Sequence, residues 1–114
     1  MKDFTGKVAV ITGAGSGFGR EFAQLGAQIG CKLVLADVQA DALAVTVAQL
    51  EAVGAQVIAE VVDVSKANQV ERLAQAAVKK FGTIDMAFNN AGVGSGGLIW
   101  ENSLKDWEFG RAHV

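Results

Sequence analysis

A chain of 114 residues with 12 acidic and 10 basic side chains is close to neutral, so it lacks the surplus of bases on which nucleic-acid binding depends. Half of it is apolar and 14 residues are glycine, a composition of soluble α/β proteins that fits one core, read as a single incomplete domain over 1–114. One cysteine, Cys31, excludes an internal disulfide, and His113 is the sole histidine, so no metal-ligand cluster is available.

No apolar run reaches the ~20 residues of a membrane span, and no signal-peptide pattern precedes the first apolar run. A cytoplasmic, reducing location without a membrane partner is therefore expected. Cys31, between a helical stretch and an apolar run, is expected to be buried and inert.

In chain order, Lys7 to Thr12 (KVAVIT) is β-branched and bounded by Gly6 and Gly13, the pattern of a buried strand. From Gly17 the period lengthens, and Phe18, Phe22, Leu25 and Ile29 fall on one predicted helix face. Lys32 to Asp37 (KLVLAD) is a second strand. Gln39 to Val53 follows as a helix with Leu43, Val47 and Leu50 on one face, stopped by Gly54.

Gln56 to Val62 is a third strand, and Ser65 is placed to cap the next helix. That helix carries Val70, Leu73, Ala74, Ala77, Val78 and Phe81 as an apolar stripe, has Lys79 and Lys80 on its solvated flank, and ends at Gly82. Met86 to Asn89 is a short fourth strand. Gly92 to Gly97 reads as a loop, and a further helix starts near Leu104. Apolar strands alternating with amphipathic helices predict an α/β fold, a Rossmann-like doubly wound parallel sheet in the partial order β-α-β-α-β-α-β with strand order 3-2-1-4.

Thr12-Gly13-Ala14-Gly15-Ser16-Gly17-Phe18-Gly19 occupies the first strand-to-helix turn. Glycines there allow the backbone to turn sharply and approach an anion, and the helix N-terminus offers unpaired N–H groups and a positive dipole end. A dinucleotide diphosphate is the ligand this placement implies. Asp37 ends the second strand about 20 residues beyond the glycines, where a carboxylate accepts hydrogen bonds from ribose hydroxyls and repels a 2′-phosphate. Val38 and Ser16 bring no positive charge, so NAD is expected in preference to NADP. Asp63-Val64 is read as the turn before the third helix, as an adenine contact, or as both. Asn89-Asn90-Ala91-Gly92 closes the fourth strand with small and amide side chains that leave room for a cofactor or tie neighbouring strands.

Together these residues resemble the short-chain dehydrogenase/reductase family from Gly6 to Trp107. The family's TGxxxGxG corresponds to Thr12, Gly13, Gly17 and Gly19, its acidic residue to Asp37, its Asp-Val to Asp63-Val64 and its NNAG to Asn89–Gly92. The resemblance implies cofactor binding by Gly13, Ser16, Gly17, Phe18, Gly19, Asp37, Asp63, Val64, Asn89, Ala91 and Gly92. It also implies hydride transfer between a nicotinamide and a small alcohol or carbonyl substrate in a full-length relative.

Phe18 stands where the family usually has Ile or Leu. The family's catalytic Asn is expected seven residues after a Trp such as Trp107, where Val114 stands, and Gly110, Arg111 and His113 replace an apolar stripe. These departures suggest that the tail after about Phe109 has left the family's frame, through truncation, a sequencing shift or a pseudogene. The family's Ser and Tyr-x-x-x-Lys are not found, and the chain has no tyrosine, so no catalytic residue is assigned and turnover by this chain alone is not expected. The alternatives are a non-catalytic dinucleotide- or partner-binding module and a non-functional remnant. Met86, Ala87 and Phe88 are expected on a bare sheet edge, giving a marginally stable domain prone to self-association.

Overall fold

The computed structural model describes residues 3–90 together with the backbone of residues 98–100. Four parallel strands, β1 (Val8–Thr12), β2 (Lys32–Asp37), β3 (Val57–Val61) and β4 (Met86–Asn89), alternate with α1 (Gly17–Gln28), α2 (Ala40–Ala52) and α3 (Ala67–Phe81). A fifth strand, β5 (Leu98–Trp100), follows, and the sheet order is β3-β2-β1-β4-β5. The predicted order 3-2-1-4 is present, with β1 and β2 in the middle.

Alternation along β1 and β2 divides the core into two layers, because successive side chains leave a strand on opposite faces. Val8, Val10, Val34 and Ala36 pack with Leu73, Ala74 and Ala77 of α3. Ala9, Ile11, Leu33 and Leu35 pack with Ala23 of α1 and with Leu43 and Leu50 of α2. Burying each such Leu or Ile contributes roughly 1.5–3 kcal/mol, which makes these two strands the scaffold on which the loops at their ends are held. β3 lies at the sheet margin, and Val61 there is half exposed.

α1 departs from its predicted face. Phe18, Leu25 and Ile29 are 56%, 54% and 48% exposed, whereas Gly19 and Ala23 are buried. The physical reason is the depth of packing: a stripe of small residues lets the helix axis lie closer to the sheet than a stripe of large ones. Phe22, at the boundary of the two faces, still stacks on Phe88 of β4, with ring centroids 5.2 Å apart. On α2 and α3 the predicted faces are the buried ones at Leu43, Leu50, Leu73, Ala74 and Ala77. Gly82 ends α3 with φ of 86°, donating its N–H to the Val78 carbonyl.

Two further expectations are corrected. Ser65 does not cap α3: Lys66 holds the cap position, without a side-chain bond to the helix. Ser65 instead donates both its N–H and its hydroxyl to Asp63 Oδ1, so the neighbouring carboxylate has won the competition for it. Nor is β4 bare, because β5 pairs antiparallel with it through Ala87–Trp100, Phe88–Ile99 and Asn89–Leu98. Of the edge expected at Met86, Ala87 and Phe88, β5 thereby covers Ala87 and Phe88. Ala91, the predicted Gly92–Gly97 loop, the helix from Leu104, Trp107, and the tail residues Gly110, Arg111, His113 and Val114 lie outside the described residues.

Candidate functional site

The carboxyl ends of β1, β2 and β4 meet around the loop from Gly13 to Gly17. Gly13 and Gly17 have φ of 64° and 57°, the left-handed region that residues with a Cβ enter at a cost. Between them the chain turns off β1 and enters α1 through Ser16, whose backbone is extended. Gly19 then sits so close to the loop that an added Cβ would lie 2.0 Å from the Gly13 carbonyl oxygen.

The loop is tied to its neighbours on three sides. On the β4 side, the Thr12 hydroxyl donates to Asn89 Oδ1 at 2.7 Å and accepts the Asn90 N–H at 3.2 Å. Asn90 Nδ2 also reaches the Gly13 carbonyl at 3.4 Å. On the β2 side, Ala14 donates to the Ala36 carbonyl at 3.0 Å and Gly15 donates to Asp37 Oδ2 at 2.8 Å. On the helical side, Arg20 of α1 and Thr46 of α2 hold the carbonyls of Gly15 and Ala14.

Asp37 therefore combines two roles. Oδ1 accepts the Gln39 N–H at 2.9 Å, a turn at the start of α2, while Oδ2 accepts Gly15. Each carboxylate oxygen keeps a second acceptor site, so neither bond prevents recognition of a hydroxyl group. Val38 beside it is exposed.

The first three N–H groups of α1, at Gly17, Phe18 and Gly19, have no acceptor among the described residues. Helix geometry leaves such donors unpaired, and the dipole adds partial positive charge there. A Cβ added at Gly17 would meet nothing within 4 Å, and an anion at this end would meet aligned donors. This is the fit that the predicted diphosphate requires.

Asp63 and Val64 sit farther along the rim. The Asp63 N–H donates to Gln69 Oε1 at 2.8 Å, and the hydrogen bonds from Ser65 hold the Asp63 carboxyl below the usual carboxylate range. These contacts display the turn. Val64 helps line a cavity of about 180 Å³ with Val10, Thr12, Val70, Ala87, Phe88 and Asn89. Cys31 lies away from the site, buried against the Phe4 carbonyl, and burial pushes its thiol pKa up.

The structure thus brings together Gly13, Ser16, Gly17, Phe18, Gly19, Asp37 and Asn89, with Asp63 and Val64 at the margin. Ala91 and Gly92 are outside the described residues. Arg20 and Thr46 were not singled out from the sequence. Thr46 falls among Leu43, Val47 and Leu50 on the inward stripe of α2, and a polar group at such a position demands a partner. That demand was the available signal.

Among the described residues, no helix is long and apolar enough to cross a membrane, and no three His, Cys, Asp or Glu side chains form a group able to hold a metal.

Comparison with known proteins agrees with this arrangement. The family model described as short chain dehydrogenase matches residues 7–109. A short chain dehydrogenase/reductase from Burkholderia phymatum, solved in complex with NAD, is 57% identical with a TM-score of 0.79, over 99% of this chain and 43% of that one. Hydroxysteroid dehydrogenase from Escherichia coli aligns at 38% identity and a TM-score of 0.76, over 81% of this chain and 39% of that one. The CLA biosynthesis dehydrogenase/reductase of Lactiplantibacillus plantarum is 42% identical over 96% of this chain and 38% of its own length. The chain thus spans about two fifths of the length of these relatives. With the matched region covering the loop, the parallel sheet and all three helices, the chain belongs to the short-chain dehydrogenase family.

Proposed function

We propose that this chain is the NAD-binding half of an oxidoreductase that moves hydride between a nicotinamide and an alcohol or carbonyl carbon. The observation that carries the reading is the 2.8 Å bond from the Gly15 N–H to Asp37 Oδ2, which joins the phosphate-side loop to the ribose-side carboxylate in one surface. The unpaired amides of Gly17, Phe18 and Gly19 would hold the diphosphate, with Gly13 shaping the turn and Ser16 beside it. Asp37 would hold the adenosine ribose, Asp63 and Val64 the adenine side, and Asn89, Ala91 and Gly92 the side toward the nicotinamide.

When bound, the cofactor supplies the hydride acceptor or donor. The chain's own residues bind and orient it. Proton transfer is not assigned to any of them, since the sequence has no tyrosine. NAD is preferred over NADP because the Asp37 carboxylate opposes a 2′-phosphate and Val38 offers no countercharge. Arg20, the nearest guanidinium to the loop among the described residues, is bonded to Gly15, Ala42 and Thr46.

Calorimetric titration of the chain with NAD and with NADP tests this reading. It predicts binding of NAD with an affinity at least about tenfold above that for NADP, a difference of ~1.4 kcal/mol. Equal affinities, or tighter NADP binding, would contradict the role of Asp37, and no binding of either would contradict the function.

A further inference from the structure

We propose that Arg20 and Thr46 are positioning residues that set the direction of the loop's peptide groups and so aim the Ser16 N–H, beside the Gly17, Phe18 and Gly19 amides, toward a phosphate; the inference rests on the cofactor reading above. Thr46 is a polar side chain with no exposure at all. Its hydroxyl donates to the Ala14 carbonyl at 2.8 Å and accepts Arg20 Nε–H at 2.9 Å. Arg20 Nη2 in turn donates to the Gly15 carbonyl and, at 3.3 Å, to the Ala42 carbonyl.

A trans peptide group is planar, with its C=O and the following N–H pointing in opposite directions. Pulling the Ala14 carbonyl toward Thr46 therefore turns the Gly15 N–H the other way, where it meets Asp37 Oδ2. Pulling the Gly15 carbonyl toward Arg20 turns the Ser16 N–H away from the α1–α2 junction. The preceding unit is fixed as well, its Gly13 carbonyl accepting Asn90 Nδ2 and its Ala14 N–H donating to Ala36.

Three successive peptide units are thus oriented before any ligand arrives. Glycines permit the path of this loop but do not select one orientation of each peptide plane, since their freedom is greatest. For the Ala14–Gly15 and Gly15–Ser16 units the selection comes from two side chains on two different helices, Thr46 and Arg20, with Asp37 receiving the Gly15 N–H. Arg20 suits the task because its rigid planar fork supplies several donors at fixed angles, which a lysine ammonium does not.

A purely structural tie between α1 and α2 would affect all ligands alike, so the test compares ADP with adenosine, which lacks the phosphates. The variants are Arg20→Met, Arg20→Lys, Thr46→Val and Thr46→Ser in the full chain, with unfolding followed for each. Dissociation constants come from NMR titration, and amide hydrogen exchange is measured without ligand. The proposal expects Arg20→Met and Thr46→Val to weaken ADP about tenfold, as the loss of a well-aligned donor to a charged group would, with adenosine unchanged in Arg20→Met and weakened less than ADP in Thr46→Val, where the Gly15–Asp37 bond is loosened too. Gly15 and Ser16 amides should exchange faster in both variants, while Leu33 and Val34 in the sheet stay protected. Thr46→Ser, which keeps the hydroxyl, should restore the ADP preference, and Arg20→Lys should recover it in part.

Equal weakening of ADP and adenosine, or unaltered ADP binding in a folded Arg20→Met chain, overturns the proposal. If the unaltered chain binds neither ligand, the cofactor reading falls, and exchange at Gly15 and Ser16 decides the clamp: faster in the variants supports it, unchanged overturns it.

Discussion

Replacing Gly19 by alanine probes how closely α1 must approach the loop. The new Cβ would lie 2.0 Å from the Gly13 oxygen, 2.6 Å from the Gly13 carbonyl carbon and 3.0 Å from Ala14 Cα. All three are backbone atoms, so relief requires moving the loop or the helix by roughly 1 Å in a close-packed interior. Overpacking of this kind costs about 1–3 kcal/mol, against which alanine returns ~1 kcal/mol of helix propensity.

Gly26→Ala in the same helix is the internal comparison. Its Cβ would meet the Leu33 Cδ2 methyl at 2.9 Å, the tip of a side chain that can rotate, while the propensity gain is the same. Gly19→Ala should therefore fall about 2 kcal/mol below Gly26→Ala, which in urea moves the unfolding midpoint by about 1 M if m is near 2 kcal/mol per M. Circular dichroism during urea titration reads this directly. Coincident midpoints for the two variants would refute the close approach of α1 to Gly13.

Asp37→Asn keeps the size of the side chain but removes the charge. It should weaken NAD and narrow the preference over NADP about tenfold in calorimetry, since hydrogen bonds to a charged acceptor contribute ~1.5–3 kcal/mol. Cys31 has a thiol pKa raised by burial first and by the Asp85 charge second. A raised folded pKa favours the protonated form in the fold, so this stabilisation is complete below the unfolded thiol pKa and is lost as pH rises through the folded one. Iodoacetamide at pH 8 should accordingly modify the native chain much more slowly than the urea-unfolded chain. Asp63 has the opposite sign: its pKa is lowered, chiefly by the Ser65 hydroxyl and then by the Ser65 N–H, so its contribution is present above the unfolded pKa and lost as pH falls through the folded one. In Ser65→Ala, the Asp63 carboxyl should titrate at higher pH in a carbon-detected NMR titration.

Strands β1 and β2 and helix α3 were readable because their apolar residues follow one period without interruption, and the same residues form the core. The glycine loop and Asp37 were readable because both stand at strand ends, where chain direction already places them on one rim. The buried face of α1 was misjudged because periodicity weighs large side chains, whereas close helix–sheet packing selected Gly19 and Ala23. Ser65 was misassigned because capping competes with a local turn, and Asp63 two residues earlier offers the stronger acceptor. The Arg20–Thr46 pair joins residues 26 positions apart, and β5 pairs with β4 antiparallel. Such long-range partnerships leave little trace in a single sequence beyond the oddity of a threonine on an apolar stripe.

The central claim is that the N-terminal turn of α1 and Asp37 together receive a dinucleotide. Amide shift mapping of the chain during titration with NAD tests it most directly. The account predicts the largest changes at Ser16, Gly17, Phe18 and Gly19, with further changes at Asp37 and Val38, saturating together at one affinity. Saturable binding that leaves those amides in place and perturbs the outer groove of α1 and α2 near Gln24, Gln28, Gln49 and Val53 would contradict it.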